Sequence, residues 1–277
     1  MEKRILVPTY SNMEIEFVLG YLSNLFENQY CKFYILDTFS YRMSGLETLR
    51  FLQEDDSFFE KPRKTSEDKL RSVILEHRLE HSNVKHTFHP ITECSNILGA
   101  VQRNVMEFEM DLIVLFMNSA NRAYDHQISS ILNKIRRCPI MVIPENMSLS
   151  RRNKFVFVSD FMNPVPQGEL DYMLFLFGYM KLEFKILQIG QPCQISLQQE
   201  INHKTLHLKL STISQSMVSI RNINSLDKIK EYGSAHTKSI LCFLDEKPSV
   251  LRRLGVTKSF VNRLGPIDRI PMVTFHV

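Results

Sequence analysis

A chain of 277 residues, 44% hydrophobic and 23% charged, has room for two ordinary domains or one large one, and its composition is globular rather than disordered. Its longest apolar run, MLFLFGYM at 173–180, is far too short to cross a bilayer, and MEKRILVPTY carries no long apolar stretch or small-residue cleavage site, so a soluble cytoplasmic protein without a signal peptide is expected. The net charge of +4 is uneven: residues 1–150 carry 17 Lys/Arg against 20 Asp/Glu, and residues 151–277 carry 17 against 10, so the second half is the better candidate to meet an anion.

The pattern then runs in chain order. RILVPTY, 4–10, reads as a strand, and Ser11-Asn12 can cap a helix over about 13–27. Ile15, Val18, Leu19, Leu22, Leu25 and Phe26 share one face of that helix. CKFYILDTF, 31–39, is a second strand, and 40–64 is polar and reads as a long loop. A helix is expected from Ser66 to about His81, a strand at VKHTFHPI, 84–91, and a helix capped by Thr92 to about Phe108. DLIVLFM, 111–117, a helix near 124–136 and CPIMVIP, 138–144, complete an alternating strand–helix unit, which implies a parallel sheet with helices on both faces.

ENMSLSRRNK, 145–154, is a polar hinge. The pattern then restarts: KFVFVSDF, 154–161; a helix over about 166–180; FKILQIG; a helix at 194–210; SMVSIRNI as third strand; a helix from Ser225 to about 235; SILCFLD, 239–245; and IPMVTFHV, 270–277. Pro139 and Pro271 stand one residue into each last strand. One unit is therefore duplicated, with domains expected at 1–146 and 154–277 and a linker at 147–153. An apolar last strand leaves an edge that needs a partner, and the second copy supplies an equivalent strand. The docked pair is favoured over two independent domains on a flexible linker. The five cysteines, Cys31, Cys94, Cys138, Cys193 and Cys242, are scattered without a CxxC and read as small core residues in a reducing compartment.

RILVPTY, DLIVLFM and CPIMVIP, echoed by FVFVSDF, SILCFLD and IPMVTF, together resemble the universal stress protein family in its tandem form. The resemblance implies two doubly wound, five-stranded, mainly parallel sheets of the Rossmann-like, adenine nucleotide alpha hydrolase-like kind, arranged as a pseudo-dimer. It also implies a stress-related cytoplasmic role and, in some members, ATP binding. ATP-binding members carry an acidic residue after the first strand and a glycine-rich loop after the fourth, ending in glycine and Ser or Thr. Backbone amides of such a loop hold phosphates, and glycine permits the close approach.

Here the first half departs from that pattern. Tyr10 replaces the acid, Met117-Asn118-Ser119-Ala120 replaces the paired glycines, and Ser129-Ser130 is the nearest match to the final Gly-Ser. Asn118 and Ser119 read as a local cap rather than a phosphate site. The second half keeps Asp160 at the acidic position and Gly255 near the last glycine, with Thr257 close by. Its loop DEKPSVLRR has no glycine pair and contains a proline, which lacks an amide donor. Lys247, Arg252, Arg253, Lys258, Arg263 and Arg269 make the region basic. These cations either replace amides as phosphate ligands or form a solvated face, and the second reading is preferred. Nucleotide-site residues, if the site persists, are Asp160, Gly255, Thr257, Lys258 and Arg252.

HRLEH, 77–81, matches H-x-x-E-H, in which two histidines four apart could chelate zinc. The helix is highly charged and no third ligand follows, so it reads as a solvated face, and no metal is expected. His86 and His89 fall on opposite strand faces, and His203 and His207 have no carboxylate companion. No P-loop or G-x-S-x-G elbow is present. The expectation is a noncatalytic stress-response or signalling protein that acts through protein contacts, with degenerate nucleotide loops and no resident cofactor. The alternative is an ATP- or AMP-binding sensor using the second-domain cleft. Nucleic acid and membrane are not expected partners, the protein partner is unidentified, and a homodimer is allowed.

Overall fold

Runs of aliphatic residues flanked by polar turns form strands where both faces can be covered, and amphipathic segments between them form the covering helices. A computed structural model describes residues 2–9, 12–41, 56–117, 122–147, 154–178, 182–190, 195–214, 217–246, 260–265, 267 and 269–276. The chain divides into two units, Met1–Leu115 and Phe116–Val277. Of the expected linker, only Met147 is described, and it is buried.

In the first unit, β1 (Lys3–Thr9) pairs in parallel with β2 (Cys31–Phe39) on one side and β4 (Leu112–Met117) on the other, and β2 pairs with β3 (His86–Cys94). The order is β3-β2-β1-β4. β4 is buried along its whole length, as a strand covered on both faces must be. On α1 (Asn12–Leu25), Ile15, Val18, Leu19, Leu22 and Leu25 are buried, with Phe26 just beyond, as the helical spacing predicts.

Two expectations in this unit fail. The stretch 56–64 is not a loop, because α2 (Asp56–Glu80) begins ten residues before Ser66 and runs through Pro62. A proline inside a helix and a polar first half concealed it, since the apolar period starts only at Leu70. Thr92 does not cap the next helix. It stays in β3, opposite Asp37 of β2, and Asn96 caps α3 (Ile97–Glu107), its side-chain oxygen accepting from Gly99 N at 2.9 Å.

HRLEH is also not a wholly solvated face. Leu70, Val73, Ile74 and His77 form one buried stripe of α2, with His77 only 4% exposed. Its Nε2 lies 2.9 Å from Ser23 Oγ, and its ring meets Phe88 edge-on and lies 4.7 Å from the ring of the exposed His81. Burial, followed by the neighbouring His81 and His86, lowers the His77 pKa to about 4. His86 packs on Phe33 and His89 on Tyr34, so they do occupy opposite faces of the sheet. Asp37 anchors α2 to the sheet by accepting from Ser66 Oγ at 2.7 Å, with Lys69 Nζ at 3.5 Å.

The second unit contains α4 (Arg122–Lys134), β5 (Ile140–Pro144), β6 (Lys154–Ser159), α5 (Gln167–Phe177), β7 (Glu183–Ile189), α6 (Leu197–Ile213), β8 (Ser219–Ile223), α7 (Leu226–Ala235), β9 (Ser239–Asp245), α8 (Phe260–Leu264) and β10 (Met272–His276). Its strands run β5-β10-β9-β6-β7-β8. All these pairings are parallel except β5–β10, which is antiparallel, Met272 opposite Val142 and Val273 opposite Met141. The two apolar strands CPIMVIP and IPMVTFHV thus contribute strands that pair with each other. Pro139 and Pro271 stand immediately before these strands rather than one residue inside them, because a proline cannot donate to a ladder. Ser225 caps α7 as expected, accepting from Lys228 N at 3.3 Å. Cys31, Cys138 and Cys242 are buried, Cys94 is exposed, and Cys193 lies outside the described residues. Burial raises the Cys31 thiol to about 12 and raises Cys242 as well, so both stay protonated.

Met141 is fully buried in the β5–β10 pair. Met141→Asp should therefore cost about 3–5 kcal/mol in urea unfolding, the penalty of an uncompensated buried charge, while Val84→Asp, at a 94% exposed position, should stay within roughly 0.5 kcal/mol. Equal effects at the two positions would contradict the burial. His77 has a folded pKa of about 4 against an ordinary value of 6.5, so the unfolded chain binds more protons between those values. Its contribution to stability is complete above pH 6.5 and is lost as the pH falls toward 4. Going from pH 7 to 5 should remove roughly 2 kcal/mol through this residue, and His77→Phe should flatten the slope. An unchanged slope in the variant would count against a neutral buried His77.

Candidate functional site

In the second unit the chain leaves β6 for β7 on one side, while β9 lies on the other side of β6. At such a reversal the outgoing loops part and leave a crevice at the carboxyl ends of the strands, where open α/β sheets bind ligands. A cavity of about 220 Å³ occupies this place, lined by Ser159 at the end of β6, Asp160 and Asn163 after it, Phe243, Asp245 and Glu246 of and after β9, and Arg263 of α8, among others.

Asp160 sits where the sequence placed it, exposed at the rim of this crevice. One carboxylate oxygen accepts from Met162 N at 3.0 Å, closing a tight turn. The next residue, Phe161, is fully buried at φ 59°, a conformation that costs a non-glycine residue about 1–3 kcal/mol. α6 holds it there. Gln199 Nε2 donates to the Asp160 carbonyl at 2.8 Å, Asn202 Nδ2 donates to the Phe161 carbonyl at 2.9 Å, and the His203 ring meets Phe161 at 5.0 Å. Gln199 serves twice, because its side-chain oxygen also accepts from Ser196 N in a capping box. The Ser196-Leu197-Gln198-Gln199 signature is present in the sequence, although the helix expected from 194 starts three residues later, at Leu197.

The far wall is built by Asp245, at the end of β9. Arg136, just after α4, donates from Nη1 to Asp245 Oδ2 at 2.6 Å and from Nη2 to the Asp245 carbonyl, and His276 Nδ1 lies 3.8 Å from the same carboxylate. Both partners are largely buried, so the guanidinium is held by charge-assisted bonds in a fixed geometry. Sequence reasoning missed this pair, 109 residues apart, because no local signal links an arginine after one helix to an aspartate of a distant strand. Asn163 Nδ2 also donates to Glu246 Oε1, joining the two loops across the opening. The described lining therefore presents three carboxylates and one guanidinium, with Asp245 neutralised by Arg136. In the described lining carboxylates thus outnumber the one guanidinium.

Gly255, Thr257, Lys258 and Arg252 lie outside the described residues, as do Lys247 and Arg253, Tyr10 and the segment Asn118-Ser119-Ala120. Met117 is described and buried, and Ser129 and Ser130 sit half-buried within α4. His203 and His207 are engaged separately, with Phe161 and with the Val218 carbonyl at 3.3 Å. Among the described residues no group of three or more His, Cys, Asp or Glu could hold a metal ion, and no helix is long and apolar enough to cross a membrane.

No family model and no curated protein matches the sequence. Solved structures do match. A universal stress protein from Archaeoglobus fulgidus superimposes with a TM-score of 0.69 at 13% identity, over 99% of this chain and 96% of that one. A functionally unknown protein from Pseudomonas aeruginosa PAO1 gives 0.54 at 10% identity, and a putative universal stress protein from Pseudomonas aeruginosa UCBPP-PA14 gives 0.54 at 9%, each over 99% of this chain and 92% of the other. With alternating strands and helices, a parallel order that reverses beside the first strand of the repeat, and a likeness that spans nearly the whole chain, the molecule has the Rossmann-like α/β fold of the universal stress proteins.

Proposed function

We propose that this chain is a noncatalytic stress-response or signalling protein of the cytoplasm that acts through protein contacts, its two sequence repeats forming an internal pseudo-dimer and its nucleotide-binding loops degenerate. The chemistry of the switch-point cleft carries this reading: it is small, its described lining is mainly acidic, and Asn163 and Glu246 tie its two sides together. A triphosphate seated there would meet the carboxylates of Asp160, Asp245 and Glu246 where other proteins offer glycine amides. The antiparallel β5–β10 pair supports the pseudo-dimer. Exposed apolar side chains at Leu197, Ile201 and Leu208 recur along one stripe of α6, the kind of surface that protein partners cover. The fold shared with universal stress proteins supports the stress-related role by analogy of architecture.

A second reading, a sensor that binds ATP or AMP in the same cleft, draws on one observation: Asp160 lines the cavity at the position that follows the first strand of the repeat. Titration calorimetry of the full chain with ATP, ADP and AMP separates the two. No saturable heat is expected at micromolar nucleotide. Saturable binding that disappears in Asp160→Ala would establish nucleotide binding in this cleft and reject the degenerate-loop reading.

A further inference from the structure

A larger cavity, of about 520 Å³, shares no lining residue with the switch-point cleft. It is a groove between β8, which ends the strand order of the second unit, and α7, the helix that follows it. Its volume is within the usual range of small-molecule sites. Gly190 closes one end at φ 121°, a backbone angle that side chains rarely adopt, with its amide donating to the Ile223 carbonyl at 2.9 Å.

The groove has a polar side and an aromatic wall. Arg221 of β8 and Lys228 of α7 bring two cations to it, and neither joins an ion pair among the described residues. Asn222 and Asn224 add amide donors, and Glu231 is the one carboxylate in the described lining. The wall is Tyr232 with His236, their rings 3.9 Å apart and 10° from parallel, with Ile223 and Ala235 beside them. His236 is fixed by its Nδ1, 2.9 Å from the Tyr232 carbonyl, and the Arg221 guanidinium lies 5.8 Å from the centre of the Tyr232 ring.

Tyr232 is 5% exposed, and its hydroxyl is buried without a hydrogen-bond partner among the described residues. A buried hydroxyl left unpaired is destabilising, so folds retain one where another interaction offsets the loss. Burial raises its pKa against the pull of Arg221, which keeps it a donor at neutral pH. The cation that would draw an anion into the groove thus sits over the ring whose hydroxyl lacks an acceptor. The excess of basic residues in this half of the chain adds a long-range attraction of the same sign.

We propose that the groove between β8 and α7 binds a small anionic molecule with a flat ring, its phosphate or carboxylate held by Arg221 and Lys228 and its ring laid along Tyr232 and His236. Phenyl phosphate and benzoate probe the two anion types, with inorganic phosphate and phenol as the separated halves. The full chain is titrated and followed by amide NMR. Shifts are expected at Gly190, Asn222 and Asn224, with phenyl phosphate or benzoate binding more tightly than either half. Arg221→Ala and Lys228→Ala, both at exposed positions, should each weaken that binding about tenfold, or about 1.4 kcal/mol. Tyr232→Phe, which keeps the ring, should weaken it several-fold, while Lys204→Ala on α6 should leave it unchanged. Shifts confined to other residues, or equal affinities in the parent, Arg221→Ala and Lys228→Ala, would overturn the assignment, as would binding that inorganic phosphate matches.

Discussion

Parallel pairing of β6 with β9, Phe155 beside Ile240 and Phe157 beside Cys242, brings two carboxyl ends to one place while the chain turns away from each in a different direction. Both strands are buried on both faces in their interiors, so a slip by one residue would turn every side chain onto the opposite face and disrupt its packing. The crevice, the Asp160 turn and the Asp245 wall all follow from that register. A loop that carries a ligand must stand on something that does not move, and here the support is a sheet core of Phe155, Phe157, Phe184, Ile186, Leu241 and Phe243.

On that support protein groups line a cleft of about 220 Å³. The Arg136 guanidinium is already committed to Asp245, and Asn163 bridges to Glu246. The turn at Phe161 is strained, and three side chains of α6 hold it in place. Electrostatics and space therefore argue in the same direction, against a polyanion in the described part of the cleft. The groove beside α7 has the opposite character: wider, lined by cations with no ion-pair partner among the described residues, and backed by stacked rings. Two cavities with such different linings on one fold mean that function has to be argued from each site's own chemistry.

The strands were legible because buried parallel strands are written as nearly continuous aliphatic runs, and DLIVLFM, SILCFLD and CPIMVIP are such runs. The face of α1 was legible for the same reason at helical spacing. The first turns of α2 were not, since Pro62 and a polar stretch mimic a loop until Leu70, and neither was the burial of His77. A histidine among charged residues looks solvated until the stripe of Leu70, Val73 and Ile74 shows which face of the helix is turned inward. Thr92 failed as a cap because β2 offered its backbone a longer ladder than the sequence pattern suggested.

Alternation of strand and helix and the place of Asp160 just after a strand were determined by the sequence alone, because each is a local pattern of apolar and polar residues with a fixed period. Which groups meet Asp160, the pairing of Arg136 with Asp245, and the convergence of Arg221, Tyr232 and His236 on one groove were decided only by the tertiary structure. These are contacts between residues on different elements, up to 109 positions apart. Their distances are fixed by how strands pair and helices pack, and one-dimensional spacing carries no record of that.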